Sequence, residues 1–292
     1  MLYDVGLRIT YTYGAPAAGG RHVLYMTPAD LPGRQRAITS LLDIKPQPDE
    51  RIARTDFFGN TLVEAAFQAP HAEIEFRLRS RVERLAEARG EDLSPPLEWL
   101  AAEIAGIRSL APDAPHHFLA DSRRVSALPE FGAYARSQCA PGATALEIVE
   151  AIGRALDRDM TFDPDATNVN TLPQDAFARR HGVCQDFTHI MIGCLRAIGV
   201  PAAYVSGFLR TNPPPGQPRL EGADAMHAWV RAWCGAEMGW IEYDPTNGIP
   251  VGADHIVVAH GRDYGDVAPV RGVIRTAGGQ ASSQAVDVVP LG

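Results

Sequence analysis

Of the four cysteines in this chain, Cys139, Cys184, Cys194 and Cys234, one is placed for chemistry. Cys184 opens the segment CQDFTHIMIGCLRAIGV, whose apolar residues Phe187, Ile190, Met191, Cys194, Leu195 and Ile198 recur at steps of three and one. That spacing predicts a helix with one inward face, and it sets Cys184 in the first turn on that same face. A thiol there meets the positive end of the helix macrodipole and N–H groups with no partner inside the helix. Both favour thiolate, the reactive form, and the same N–H groups can hold an oxyanion. Gly182, just before, admits a sharp bend of the backbone. Cys194, in mid-helix, reads as a core residue.

A nucleophilic thiol needs a base, and the base needs an orienter. His227 opens the strand-like run HAWVRAW, and a short turn leads into GWIEYDP. A hairpin closed near Trp233 and Met238 sets His227 opposite Asp244, Trp229 opposite Glu242 and Arg231 opposite Trp240. Opposed residues share a face about 5 Å apart, which is hydrogen-bond reach for His227 and Asp244. Asp244 also precedes Pro245, where a strand must stop. A metal site built from Cys184, His181, His189 or His227 is the competing chemistry. The spacings match no zinc pattern, so no metal and no cofactor are expected. His181 and His189 read as surface or helix-side residues, and Trp229 and Trp240 as core or cleft wall.

Three helices and a run of strands must position these groups. Residues 144–156 carry a helical period, with Thr144 and Glu147 in capping-box positions. A short helix covers 173–180, and the cysteine helix ends at Gly199, before Pro201. Strands follow at AAYVSGFL, HAWVRAW, GWIEYDP and HIVVAHGR, then GVIRT and AVDVV. Ahead of all this, residues 1–90 alternate with period two between Gly, Pro and Asp clusters, the sign of an antiparallel sandwich or barrel. Gly59-Asn60 marks a tight hairpin within it. The expected division is a β-rich domain at 1–90, a connecting region at 91–127 with a short helix, and a catalytic domain at 128–292. Strands that follow helices give an α+β class.

Composition narrows the function. The chain has 292 residues, a net charge of -8 and scattered Lys and Arg, so no patch for nucleic acid is visible. No run of 18 apolar residues predicts a membrane span. The N-terminal MLYDVGLRIT lacks the charged and apolar regions of a secretory signal. A cytoplasmic setting with free thiols is therefore expected. An open strand edge in the first domain would suit docking of a second copy, so a homo-oligomer fits the pattern.

The block GVCQDFTHIMIGCLRAIGVPAAYVSGFL, with DAMHAWVRAW and GWIEYDPTNG after it, resembles the Cys, His and Asp blocks of the transglutaminase-like superfamily, in its bacterial branch with a β-rich N-terminal domain. The continuation HIVVAHGRDYGDVAPVRGV is similar as well. The resemblance implies a papain-like core, a Cys-bearing helix packed on an antiparallel sheet, with Cys184, His227 and Asp244 as the triad. Gln185 and Asp186 match the branch's CQD pattern. Asp186 is expected near the site, bonded toward Ser206 and Gly207. Thr188 stands where Ala is common in the family. The Pro-rich loop 211–222 is stiffer and longer than the pattern requires and is expected to overhang the cleft. Members of the superfamily share an acyl-enzyme and differ in the acceptor. No calcium loop of the D-x-D-x-D-G kind is present. A peptidase or amidase acting on a peptide or protein amide is the first expectation, an amine-accepting transferase the second, and a non-enzymatic binding module the third.

Overall fold

The computed structural model describes residues 1–85, 90–211 and 224–291. Residues 212–222 of the Pro-rich loop lie outside them. Strands β1 (Leu2–Leu24), β2 (Gln35–Lys45), β3 (Glu50–Thr55), β4 (Thr61–Phe67) and β5 (His71–Arg84) form the antiparallel first sheet that the alternation predicts. β1 is a single strand of 23 residues. It bends in a glycine-rich stretch, with a register slip between Thr12 and Ala17 and Gly19 at φ +62°. Its first half lies beside β5 and its end beside β4. The turn between β3 and β4 is also longer than the two-residue hairpin expected. The Asp56 carboxylate accepts from the Asn60 N–H at 2.9 Å, and Gly59 takes φ +85°.

The helices are α1 (Leu97–Gly106), α2 (Pro129–Gln138), α3 (Ala145–Asp159), α4 (Pro173–Arg179), α5 (Cys184–Ala197) and α6 (Tyr264–Val267). Thr144 caps α3 reciprocally. Its Oγ1 accepts from the Glu147 N–H at 3.2 Å, and the Glu147 carboxylate accepts from the Thr144 N–H at 3.0 Å. Two short strands, β6 (Thr161–Phe162) and β7 (His181–Gly182), pair in parallel just before α5. Helix α5 is buried on every side rather than on one face, because α2, α3 and α4 surround it and a sheet lies beneath. Its Gln185, Asp186, Thr188, His189 and Arg196 are buried along with the apolar set. Among the described residues no helix is long and apolar enough to cross a membrane.

The second sheet holds β8 (Ala202–Leu209), β9 (Ala225–Trp233), β10 (Trp240–Asp244), β11 (Ile249–Pro250) and β12 (His255–Gly261), in the order β11-β10-β9-β8-β12. Ala228, Val230 and Phe208 join the main core with α5. Val205, Trp229 and Val257 form a separate cluster, covered by Ala29 and Leu31 of the first domain.

The last strands correct the expected division. β13 (Val270–Arg275) and β14 (Gln280–Leu291) do not join the second sheet but return to β1. The first sheet thus has seven strands, drawn from both ends of the chain. Alternation shows that a strand is half buried and does not say which sheet it joins.

The two parts lock together along β12, an edge of the second sheet. Gln35 acts as a surrogate strand: its Nε2 donates to the Val257 carbonyl and its Oε1 accepts from the Val257 N–H, both at 2.8 Å. Asn60 does the same for His260, at 2.8 and 2.9 Å. Arg84 Nε donates to the His255 carbonyl at 3.0 Å. An open edge is a row of unpaired main-chain groups, and these side chains satisfy it.

Candidate active site

Cys184 is half-buried at the first position of α5. Val183 precedes the helix, and its N–H donates to Asp186 Oδ2 at 2.9 Å. The same oxygen accepts from Thr167 Oγ1 at 2.6 Å. Asp186 therefore fixes the start of α5 and the 163–172 loop, not the Ser206–Gly207 region expected of it. Gly182 makes this fit: a Cβ there would lie 2.7 Å from Asp186 Oδ2 and 2.8 Å from its Cβ. Burial raises the Asp186 carboxyl above the usual range against the pull of these two donors. Thr188 Oγ1 donates back to the Cys184 carbonyl at 2.7 Å, a use for the hydroxyl that an Ala would lack. Gln185 is buried, with Nε2 3.4 Å from the Val169 carbonyl.

The hairpin of β9 and β10 forms in a register two residues away from the expected one. Trp233 pairs with Trp240 and Arg231 with Glu242. A six-residue turn, with Gly235 at φ +100° and Gly239 at φ +68°, closes on a hydrogen bond from the Cys234 N–H to the Gly239 carbonyl at 2.8 Å. A shift of two keeps every side chain on its face. His227 and Asp244 thus become diagonal neighbours and still meet: Nε2 and Oδ2 lie 2.8 Å apart. Trp229 and Glu242 repeat the same diagonal, with Nε1 donating to Oε2 at 2.8 Å. Arg34 of the first domain ties Glu242 from the other side at 2.9 Å. Trp229 is fully buried, and Gly207 opens the space for it, since a Cβ at 207 would stand 2.4 Å from the indole and 2.3 Å from the Ile256 carbonyl.

Asp244 is fully buried and saturated. Oδ1 accepts from the N–H groups of Thr246 and Asn247, at 3.0 and 3.3 Å, as a turn-forming Asp does. Oδ2 accepts from Asn247 Nδ2 at 2.7 Å and faces two imidazoles, His227 at 2.8 Å and His255 at 3.1 Å. Burial alone would raise its pKa, yet the bonds from His227 and His255 hold the carboxyl far below the usual range. His255, on β12, is a site residue that sequence reasoning missed. Its Nδ1 accepts from the Gly252 N–H at 3.3 Å, so Nε2 carries the proton given to Asp244.

His227 turns its other side to Cys184. Burial disfavours the imidazolium, but hydrogen bonds to Asp244 and Cys184 and the charge of both outweigh it and lift the pKa to about 10. Burial pushes the thiols of Cys139, Cys194 and Cys234 upward. His189, expected at the surface or the side of its helix, is buried. Burial lowers its pKa to about 3, and its Nε2 accepts from the Tyr264 N–H at 3.1 Å. His227, Asp244 and His255 bring three donor atoms within 4.8 Å, a spacing that a metal would also need. Their protons account for the arrangement, because the His255 nitrogen that faces Asp244 is a donor.

Residues 3–83 match the model of the bacterial transglutaminase-like N-terminal region, and residues 132–245 match that of the transglutaminase-like superfamily. An uncharacterized protein of Mycobacterium tuberculosis is 34% identical over 99% of this chain and 93% of its own. The chain belongs to the transglutaminase-like superfamily. Another uncharacterized relative, from Mycobacterium leprae, is 28% identical over 96% of each chain. A protein-glutamine gamma-glutamyltransferase of Pseudomonas aeruginosa is 36% identical over 88 residues, which are 30% of this chain and 13% of that one. A crystal structure of a candidate cysteine protease from Cytophaga hutchinsonii shares the fold with TM-score 0.75 and 21% identity, over 99% of this chain and 90% of that one. The α+β expectation therefore holds: a transglutaminase-like core, with a Cys-bearing helix on an antiparallel sheet, follows a β-rich N-terminal domain.

Proposed function

We propose that this protein is a cysteine-dependent amide hydrolase, of peptidase or amidase kind, that works through an acyl-thioester on Cys184. Behind this reading stands the succession of half-buried Cys184 with buried His227 and Asp244, in which hydrogen bonds raise the imidazole pKa. Cys184 Sγ attacks the amide carbonyl carbon. The C–N bond then breaks, and His227 gives its proton to the departing amine. Water adds to the thioester while His227 takes its proton, and the acid leaves with Cys184 restored. Asp244 keeps His227 Nε2 protonated, so that Nδ1 faces the sulfur, and it stabilises the imidazolium. His255 and Asn247 hold the carboxylate in place. Cys184 lies in the first turn of α5, whose N–H groups suit an oxyanion.

A second reading changes only the acceptor. The partial likeness to a protein-glutamine gamma-glutamyltransferase favours a primary amine in place of water. The test is incubation with glutaminyl peptides and a fluorescent primary amine, read by mass spectrometry, for the native protein and Cys184→Ala. Cys184-dependent hydrolysis without label is the expected result. Cys184-dependent incorporation of the amine replaces hydrolysis with transfer, and products identical in both proteins overturn the enzyme reading.

A further inference from the structure

A cleft of about 540 Å³ opens where the first sheet meets the helical core. Ser282, Ser283 and Gln284 of β14 give one wall hydroxyls and an amide. Arg123, Arg124 and Arg271 stand on the other, and among the described residues no carboxylate lines the cleft. In a chain of net charge -8, this cleft gathers three cations. Several other arginines sit beside a carboxylate, as Arg81 does at Asp4 and Arg262 at Asp266. None of the three forms an ion pair with a described residue.

Two of the guanidiniums are held in place without being neutralised. Arg124 donates to the Val169 carbonyl and lies 5.4 Å over the Tyr264 ring. Arg271 donates to the Gly265 carbonyl at 2.6 Å and lies 5.4 Å over the Tyr25 ring. A carbonyl uses one of the five N–H groups of a guanidinium, which leaves a fork for a planar anion. The cleft is also tied to the nucleophile. Val169, in its wall, accepts from Gln185, the residue after Cys184. Tyr264, in the same wall, is bonded through its N–H to His189 of α5. Burial raises the Tyr264 phenol, and the Arg124 guanidinium beside it works against the rise.

We propose that this cleft receives carboxylates of the acyl donor, so that Cys184 acts on acidic peptides. The assignment rests on Cys184 as the nucleophile. The arginine forks fit carboxylates in pairs, and the Ser and Gln side chains between them suit the peptide's main chain.

Two matched alkylating peptides test it, iodoacetyl-Ala-Glu-Glu and iodoacetyl-Ala-Gln-Gln. The rate of thioether formation at Cys184 is followed by peptide mapping at low and high salt. At low salt the acidic peptide is expected to react faster by about tenfold, the return of one net charge-assisted hydrogen bond. The ratio falls toward one with added salt and in Arg123→Gln/Arg271→Gln, two exposed positions that the core does not need. Arg124→Gln gives a further variant. Equal rates for the two peptides in the native protein overturn the acidic-donor assignment and leave the nucleophile intact, as does a preference that the variants and salt do not move. Failure of Cys184 to outpace Cys139 with either peptide overturns the nucleophile itself.

Discussion

Replacing Cys184 by Ala removes two of the four influences that raise His227, its hydrogen bond and its charge, and leaves burial and Asp244 in place. A hydrogen bond to a charged group contributes about 1.5–3 kcal/mol, and one pKa unit is about 1.4 kcal/mol. The midpoint of His227 should thus fall by about one to two units from about 10. Titration of the imidazole by NMR in the native protein and in Cys184→Ala measures it, with His227→Gln to assign the signal. The linkage has a definite sign. His227 has a folded pKa above its unfolded one, so its contribution to stability is complete below about pH 6.5 and is lost as pH rises through the folded value. In Cys184→Ala the unfolding free energy should therefore begin to fall above pH 6.5, by about 1.4 kcal/mol per pH unit, and level off at the lowered midpoint, as denaturant titrations at each pH would show. Adding His227→Gln removes that slope. An unmoved midpoint near 10 in Cys184→Ala would mean that Asp244 alone holds the imidazolium and that sulfur is not its partner.

Other perturbations probe the frame around the triad. His255→Phe deletes one donor to buried Asp244 and should cost about 1.5–3 kcal/mol, seen as a lower melting temperature; an unchanged one would show that His255 does not support the carboxylate. Gln35→Ala leaves the buried Val257 N–H and carbonyl without their side-chain partners and should cost about 1–3 kcal/mol, with faster hydrogen exchange at Val257. Unaltered exchange there would show that β12 is held by the second sheet alone. Gly207→Ala drives a methyl group into Trp229 and the Ile256 carbonyl and should destabilise by about 1–3 kcal/mol, read by chemical denaturation; a neutral effect would mean that the indole can move aside.

Much of the site is legible in the sequence because its geometry is local. The 3.6 period puts Cys184 at a helix start, and the parity of a hairpin brings His227 and Asp244 to one face. Parity survived a register slip of two, because the period of a strand is two, so the pairing was right in face and wrong in rung. The slip arose in a turn that two glycines lengthen. His255 was missed because only pairing with β8, a partner more than forty residues earlier in the chain, brings β12 to the triad. Its one signal is a His that opens an apolar strand. The return of β13 and β14 to the first sheet was equally hidden, since VDVV reads alike in either sheet. The clamp by Gln35, Asn60 and Arg84 is a matter of buried polar partners two hundred or so residues apart for the first two, which no window of sequence displays.

The most direct test of the central claim is the rate of alkylation of each cysteine by iodoacetamide in the native protein and in His227→Ala, resolved by peptide mapping. The account predicts that Cys184 reacts well ahead of Cys139, Cys194 and Cys234, and that it loses this lead without His227. Alkylation of Cys184 no faster than that of Cys139, or a lead that His227→Ala leaves intact, would contradict it.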